Sequence, residues 1–219
     1  MENPWKNTKN ESSEYIAACD KSDEKLYQKI CKKYDLSYIP QPYMGDPEKS
    51  EIFLLLANPN AGGNHKDFQK KHRELVITNL KHEIDDYPLY GINDKFKGYF
   101  IYEWWYKRLS PIIDEIGDPK KVSKSIFAAE YVPYFSDKYV YNVKTSSLGY
   151  TVNLIKKAVS LKKIIIIMRS KRNWERSIPE LEHYENTFVL HSPQNVIVSP
   201  KNLGEDAFEK VIKRIKRIK

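Results

Sequence analysis

The sequence has few cysteines and no long apolar run, and each absence excludes a class of protein. Two cysteines, Cys19 and Cys31, are too few for a disulfide framework. No Cys-X-X-Cys pair occurs, so we expect no structural zinc or iron–sulfur site. The apolar runs, such as Ile164–Met168, are far shorter than the ~20 residues that cross a bilayer. The opening residues, MENPWKNTKN, hold no apolar stretch, so we expect no secretory signal.

The composition is that of a basic, folded protein. The 219 residues suit one α/β domain with a core of its own. Lys and Arg total 37 against 29 Asp and Glu, a formal net charge of +8, and 41% of the residues are hydrophobic, too many for a disordered polycation. We expect a cytoplasmic protein with a polyanionic partner, DNA above all, no membrane association and no obligate protein partner. Charge alone leaves the partner open, since many basic proteins bind no nucleic acid.

Four short apolar runs have the pattern of strands that are covered on both faces of a parallel sheet. They are rich in β-branched or aromatic residues and lack polar alternation. The runs are Ile52–Ala57, Ile126–Ala129, Ile164–Met168 and Thr187–Leu190. Helical patterns separate them, which predicts a three-layer α/β/α sandwich around a short four-stranded parallel sheet.

The helical patterns and the polar ends define the domain organisation. Helices are predicted over Glu24–Tyr34, Tyr99–Ile116, Ser147–Leu161 and a C-terminal stretch. Asn202, with Glu205 three residues later, is the predicted cap of that last helix. Residues 1–20 are polar and expected to be loose. One domain then covers 21–219, with a long helical insertion at about 64–120 that is either packing or a lid.

A polar side chain follows each predicted strand, at the edge where parallel sheets bind ligands. These side chains are Asn58, Glu130, Arg169 and His191. The presence of any one of these polar side chains is explained by the solvent exposure of the loops that follow strands. Together, an amide, a carboxylate, a guanidinium and an imidazole at one edge predict an active site.

The order of these motifs resembles that of the uracil-DNA glycosylase superfamily. Tyr43–Pro47 and the strand that ends in Asn58-Pro59-Asn60 resemble its first motif. His191-Ser192-Pro193 resembles its second motif, and Glu130–Pro133 resembles the segment that reads the base. The resemblance extends from about Pro40 to the end of the chain and implies the fold of that superfamily.

The resemblance implies a monofunctional DNA glycosylase, which flips a nucleotide out of DNA and hydrolyses its glycosidic bond without metal or cofactor. Asn58 would hold the attacking water, and His191 would donate a hydrogen bond to the base oxygen where negative charge develops. No lysine occupies a motif position, so a Schiff-base lyase step is not expected. The competing interpretations are an Asn-Pro turn at Asn58 and an ordinary loop histidine at His191.

Two departures from the family pattern point to an unusual base. Glu130 stands where uracil-specific members have Asn, and an ionised carboxylate fits a donor such as cytosine N4 rather than uracil; a structural ion pair is the alternative. In uracil-specific members an aromatic residue after the first motif blocks the C5 position of the base. Asn60 and the small residues 61–63 stand at this place here. We therefore expect a C5-substituted cytosine as the substrate. Such bases occur in phage DNA, which favours a role in antiviral defence.

Further residues have weaker assignments. Tyr43, Phe68 and Tyr134 are candidates for base stacking, with Asn60 beside them, and core packing is the alternative for the aromatics. Val196 and Ile197 are candidates for a wedge into the base stack. Phosphate contacts are predicted for Arg169, Lys171, Arg172, Ser192 and Ser199. The three histidines His65, His72 and His82 lack metal-site spacing and are interpreted as surface helix residues.

Three other functions remain open at this point. One is a non-catalytic nucleic-acid-binding protein of the same fold, and another is a uracil-excising repair glycosylase. The third is an α/β enzyme that acts on free nucleosides or nucleotides. Steep salt dependence of binding would count against the third, because binding a polyanion releases counterions.

Overall fold

All four apolar runs form parallel strands of one sheet. The computed structural model describes residues 1–138 and 143–218; Lys219, the last residue of the predicted domain, lies outside them. The strands are β1 (Tyr43–Met44), β2 (Ile52–Leu55), β3 (Ile126–Ala129), β4 (Ile164–Ile167) and β5 (Thr187–Val189). Their order in the sheet is β1-β3-β2-β4-β5. The added strand β1 is antiparallel to β3, so the sheet is mostly parallel and has one strand more than predicted.

The register of the central strands places their carboxyl ends side by side. Leu55 of β2 lies opposite Ala129 of β3 and Ile167 of β4. Every side chain of these three strands is buried, which confirms coverage on both faces for three of the four predicted strands. The prediction is wrong for β5, an edge strand whose three residues are only half-buried. Residues that follow β2, β3 and β4 therefore meet at one edge of the sheet.

Helices are the main regular element in the rest of the described chain. They are α1 (Ala18–Lys21), α2 (Glu24–Cys31), α3 (His65–Lys71), α4 (Arg73–Leu80), α5 (Phe100–Ile116), α6 (Pro119–Ser125), α7 (Leu148–Ser160), α8 (Lys171–Ser177), α9 (Pro200–Leu203) and α10 (Glu205–Lys216). The predicted helices match α2, α5 and α7 to within three residues at each end. No helix of the described ranges has the length and apolar character that a bilayer crossing requires.

The predicted cap of the last helix is wrong. Asn202 lies inside α9, and α10 begins at Glu205 after Gly204, whose φ is 94°. The Asn202 side chain instead holds the loop that follows β5. It accepts a hydrogen bond from the Ser192 N–H at 2.8 Å and donates to the Asn195 and Ile197 carbonyls at 2.6 and 2.9 Å. The Asn202 amide therefore stabilises the loop after β5 rather than the first turn of α10.

The first 20 residues, expected to be loose, pack against the core. Trp5 and Tyr15 are 1% and 6% exposed. The fully buried Asp20 carboxylate accepts hydrogen bonds from the Tyr134 hydroxyl, the Ser147 N–H and the Ser147 hydroxyl at 2.6–2.8 Å. A few buried side chains anchor a segment whose average composition is polar.

Candidate active site

A pocket opens beyond the carboxyl ends of β2, β3 and β4. Its cavity has a volume of about 50 Å³ and is open to solvent, well below the ~300–1,000 Å³ of typical small-molecule sites, so a ligand as large as a base requires its walls to move apart. Its lining residues are Gln41, Leu56, Ala57, Asn58, Pro59, Asn60, His65, Phe100, Ile101, Trp104, Trp105, Glu130 and Arg169. The structure therefore brings Asn58, Glu130 and Arg169 together, three of the four residues that the sequence predicts at this edge.

The Asn58 side chain has a fixed orientation. Its Nδ2 donates to the Ser136 hydroxyl oxygen at 2.8 Å and to the Pro59 carbonyl at 3.0 Å. Both amide hydrogens are therefore engaged. Within the described ranges no group donates to Oδ1, which leaves this oxygen as an acceptor. Such an acceptor can hold a water molecule by one of its hydrogens.

Ser136 fixes the Asn58 loop to the segment after β3. Its hydroxyl donates to the Lys138 carbonyl at 2.6 Å while it accepts from Asn58. Its backbone N–H donates to the Pro59 carbonyl at 3.2 Å, and its carbonyl accepts from the Ala61 N–H at 3.0 Å. The sequence analysis missed Ser136, because only the folded chain brings it to Asn58.

Glu130 places a buried carboxyl group in the pocket without a partner. The residue is 6% exposed, and within the described part of the chain nothing forms a hydrogen bond with Oε2. Burial raises the pKa of Glu130 to about 8, although the charge of Arg169 opposes this shift. At neutral pH the group is therefore mostly protonated, and it presents one donor and one acceptor.

That protonation state changes what Glu130 implies about the base. The sequence argument against uracil assumed an ionised carboxylate. A neutral carboxyl can pair with N3 and N4 of a cytosine, and equally with N3 and O4 of a uracil. The exclusion of uracil therefore holds only above pH about 8, where Glu130 ionises. The alternative of a structural ion pair at Glu130 is contradicted, since no ion pair within the described ranges includes it.

His191 does not line the pocket. It lies exposed on the loop after β5, where its backbone N–H donates to the Asn202 carbonyl at 2.9 Å. The loop nevertheless reaches the mouth of the pocket, because Arg169 Nε donates to the Pro193 carbonyl at 3.3 Å. The expected pairing of Asn58 and His191 across one pocket is therefore absent from this structure.

The imidazole in the pocket belongs to His65. The interpretation of His65 as a surface residue is wrong, since it is 6% exposed and lines the pocket at the start of α3. Its ring packs edge-on against Phe100 and Phe135, with centroids 5.1 and 5.5 Å away. Burial lowers the pKa of His65 to about 4, so the ring is neutral at pH 7. His82 is also largely buried, and its ring stacks on Tyr43 at 4.3 Å.

The three aromatics proposed for base stacking all have core roles. Tyr43, Phe68 and Tyr134 are each 1% exposed, and none lines the pocket. The Tyr43 hydroxyl donates to the Leu80 carbonyl at 2.7 Å, and that of Tyr134 to Asp20 at 2.6 Å. Their alternative, core packing, is the one that the structure supports.

The aromatic wall of the pocket comes from α5 instead. Phe100, Trp104 and Trp105 all line it. The sequence pattern predicts a helix over Tyr99–Ile116 but does not show that the first turns of this helix cover the sheet edge.

Part of the space expected at the small residues 61–63 is filled by Phe100. Gly63 has φ 66°, and a Cβ atom placed on it would lie 2.7 Å from the Phe100 Cβ. The backbone can approach this closely only because residue 63 has no side chain. Asn60 does line the pocket, and its Oδ1 accepts from the Gly62 N–H at 2.7 Å. Any room for a C5 substituent therefore lies between Asn60 and α5.

The predicted wedge is not formed at Val196. This residue is fully buried, as is Val198, whose N–H donates to the Arg108 carbonyl of α5 at 2.9 Å. Only the half-buried Ile197 between them reaches the surface. The loop buries alternate residues, so Val196 and Val198 pack in the core and are not exposed to a base stack.

The residues predicted to contact phosphate differ in their exposure and in whether they line the pocket. Lys171 and Arg172 are exposed on α8, and Lys171 pairs with Glu175 at 2.7 Å. Ser192 is half-buried, and its hydroxyl accepts from the Asn195 N–H at 3.2 Å. Ser199, directly before α9, is half-buried as well. Of this group, only Arg169 lines the pocket.

Comparison with known proteins gives no relative: no protein-family model, no curated protein and no solved structure significantly matches the chain. The described residues also contain no group of three or more His, Cys, Asp or Glu side chains that could hold a metal ion.

Proposed function

We propose that the chain has a uracil-DNA glycosylase-like fold and is a monofunctional DNA glycosylase. It would release a modified pyrimidine, with C5-substituted cytosine favoured over plain uracil, and leave an abasic site. The observation that carries this proposal is that one pocket contains both the Asn58 Oδ1 acceptor and the buried Glu130 carboxyl, whose Oε2 has no hydrogen-bond partner in the described part of the chain. A role in defence against phage with modified DNA follows from that substrate class.

Asn58 supplies the position for water. Its amide hydrogens are held by Ser136 and Pro59, so Oδ1 is fixed toward an incoming water. The C1′–N1 bond breaks with its electron pair going to the base, and the water oxygen bonds to C1′ of the oxocarbenium-like sugar. One water proton ends on the base, so the products are the free base and the hydroxylated sugar. Asn58 orients the water, because an amide hardly deprotonates it.

Glu130 is the group that reads the base. Its burial excludes water from the carboxyl, so a hydrogen bond with a base edge meets little competition. A ligand that pairs with Oε2 also satisfies a buried polar atom, which otherwise costs about 1–3 kcal/mol. At neutral pH this carboxyl pairs with N3 and N4 of cytosine or with N3 and O4 of uracil, so the preference for a C5-substituted base rests on the space between Asn60 and α5.

Two imidazoles are candidates for stabilising negative charge on the base oxygen. His191 has the motif position of the resemblance, but it is exposed and would need its loop to close over the substrate. His65 already lines the pocket, and a neutral ring donates one N–H. We assign this role to His65 on the basis of its position.

The exposure of His191 also favours a second function, a non-catalytic nucleic-acid-binding protein of the same fold. In that protein the pocket would hold a flipped base without cleavage. The two functions differ in a single observable, the release of free base.

Mass spectrometry of released bases tests the proposal. The wild type is incubated with DNA that contains cytosine, uracil, 5-methylcytosine, 5-hydroxymethylcytosine or phage-type modified cytosines. We expect release of a C5-substituted cytosine, loss of release in Asn58→Ala, and unchanged DNA affinity in that variant. Preferential release of uracil would instead indicate a repair enzyme. Tight DNA binding with no base released from any substrate would indicate the non-catalytic function.

A further inference from the structure

A second, outer groove adjoins the pocket and carries positive charge. It is open, has a volume of about 390 Å³, and shares Asn60, Phe100, Trp104 and Arg169 with the pocket. Lys107 and Arg108 of α5 complete its basic side. A molecule that filled the pocket would therefore continue into this groove.

Arg108 is held in place by an aromatic ring rather than by an acid. Its guanidinium carbon lies 4.5 Å from the centroid of the Trp104 ring. Stacking of this kind fixes the plane of the guanidinium and leaves its N–H groups free to bind in that plane. Within residues 1–138 and 143–218, Nε has no hydrogen-bond partner although it is buried, and no carboxylate forms an ion pair with Arg108.

The second cation, Arg169, adds like charge to the same groove. Burial, and then the charge of Arg169, lower the pKa of Arg108. Arg169 uses Nε for the Pro193 carbonyl, and no ion pair in the described part of the chain includes it. The acid of the groove, Glu103, accepts a hydrogen bond from the Gly98 N–H at 3.2 Å. Two neighbouring guanidinium groups without a counterion attract an anion between them.

We propose that Arg108 and Arg169 together bind one backbone phosphate of the nucleic acid whose base enters the pocket. This inference rests on the proposed function and adds to it the two side chains that bind the backbone of the DNA strand. A phosphate diester matches the planar, bidentate donors of arginine. Trp104 and Asn60 line both the groove and the pocket, so the phosphate site lies within the length of one nucleotide from the base pocket.

The test measures binding of a fluorescein-labelled, unmodified DNA duplex by anisotropy between about 50 and 200 mM salt. Each phosphate contact contributes about 0.9 to the slope of log K against log salt. Because both arginines bind the same phosphate, we expect Arg108→Gln to reduce the slope by part of that amount, Arg108→Gln combined with Arg169→Gln to reduce it by the full amount, and Arg108→Lys to keep it. The matched control is Arg176→Gln, which removes the same charge from an exposed site on α8 and keeps the slope at the wild-type value. Thermal melting of each variant verifies that it is folded.

The outcomes separate this inference from the proposed function. An Arg108→Gln slope equal to that of the wild type would overturn the phosphate site, whether or not bases are released. A reduced slope without release of any base would support the phosphate site and count against the glycosylase. Saturable binding of deoxycytidine 5′-monophosphate that Arg108→Gln weakens, with an unchanged slope on DNA, would assign the arginines to a free nucleotide and overturn the backbone proposal. If Arg108→Gln fails to fold, Arg169→Gln replaces it with the same expected loss.

Discussion

Glu130 and Arg169, both in the described part of the chain, line one pocket without forming an ion pair. The guanidinium is close enough to lower the pKa of the carboxyl, yet burial dominates and holds that pKa at about 8. The pocket therefore contains a neutral acid beside a permanent cation at physiological pH. Three of the predictions below concern this pocket.

The first prediction is that Glu130→Gln changes the pH dependence of stability. The pKa of Glu130 is raised from 4.5 to about 8 on folding, so its contribution to stability is full below pH 4.5 and is lost as pH rises toward 8. Relative to the difference between the two proteins at pH 4, we expect Glu130→Gln to gain about 3 kcal/mol of unfolding free energy over the wild type at pH 7. Urea unfolding at both pH values measures this gain, and a constant difference would show that the carboxyl titrates normally.

The second prediction is that base selection depends on pH through Glu130. Above pH about 8 the ionised carboxylate repels the oxygens of uracil but still accepts from cytosine N4. The ratio of substituted-cytosine to uracil release should therefore rise about tenfold per pH unit above 8. Single-turnover rates from pH 6 to pH 9.5 measure the ratio. Glu130→Gln serves as the control, because its amide keeps one donor and one acceptor at every pH. A ratio that rises equally in both proteins would exclude Glu130 as its cause.

The third prediction compares the two histidines. Because His65 lines the pocket and His191 is exposed, we expect His65→Ala to reduce base release by roughly 100-fold and His191→Ala by less than tenfold. His65→Gln retains an N–H donor and should recover part of the rate. DNA affinity, measured alongside, should change little. A larger effect at His191 would mean that its loop closes over bound DNA, as the family resemblance implies.

The fourth prediction concerns the amino-terminal segment. Asp20→Ala leaves the Tyr134 and Ser147 donors buried without an acceptor, so we expect a loss of about 3 kcal/mol in the free energy of unfolding. The control is Asp23→Ala, which removes only the cap bond to the Leu26 N–H and should cost about 1 kcal/mol. Equal losses in the two variants would mean that the segment 1–20 contributes little to the core.

The parallel strands were predictable because their apolar runs are continuous, and a buried parallel strand has no polar face to interrupt the run. Strand β1, with Tyr43 and Met44 alone, is too short to leave any pattern. The polar residues after the strands were also predictable, since the end of a strand is visible in the sequence. Asn58, Glu130 and Arg169 follow from that rule, whereas His65 and Phe100 do not.

The sequence does not show which groups are contacted by side chains on irregular segments. Asn202 satisfies a local capping pattern, but three backbone groups of the loop after β5, five to ten residues away, form hydrogen bonds with its amide instead. Trp104 reads as part of an apolar helix stripe, and only the placement of α5 over the sheet edge turns it toward the pocket. Such outcomes depend on how elements pack, which local spacing does not encode.

The contact between Gly63 and Phe100 links two positions far apart in the chain. An alanine at 63 would meet both an unfavourable φ and the Phe100 ring, so it requires a smaller residue at 100. In homologous proteins, a larger residue at position 63 should therefore occur together with a smaller residue at position 100. Each such exchange would remove the Phe100 ring from the pocket wall and alter which bulky substituents the mouth admits.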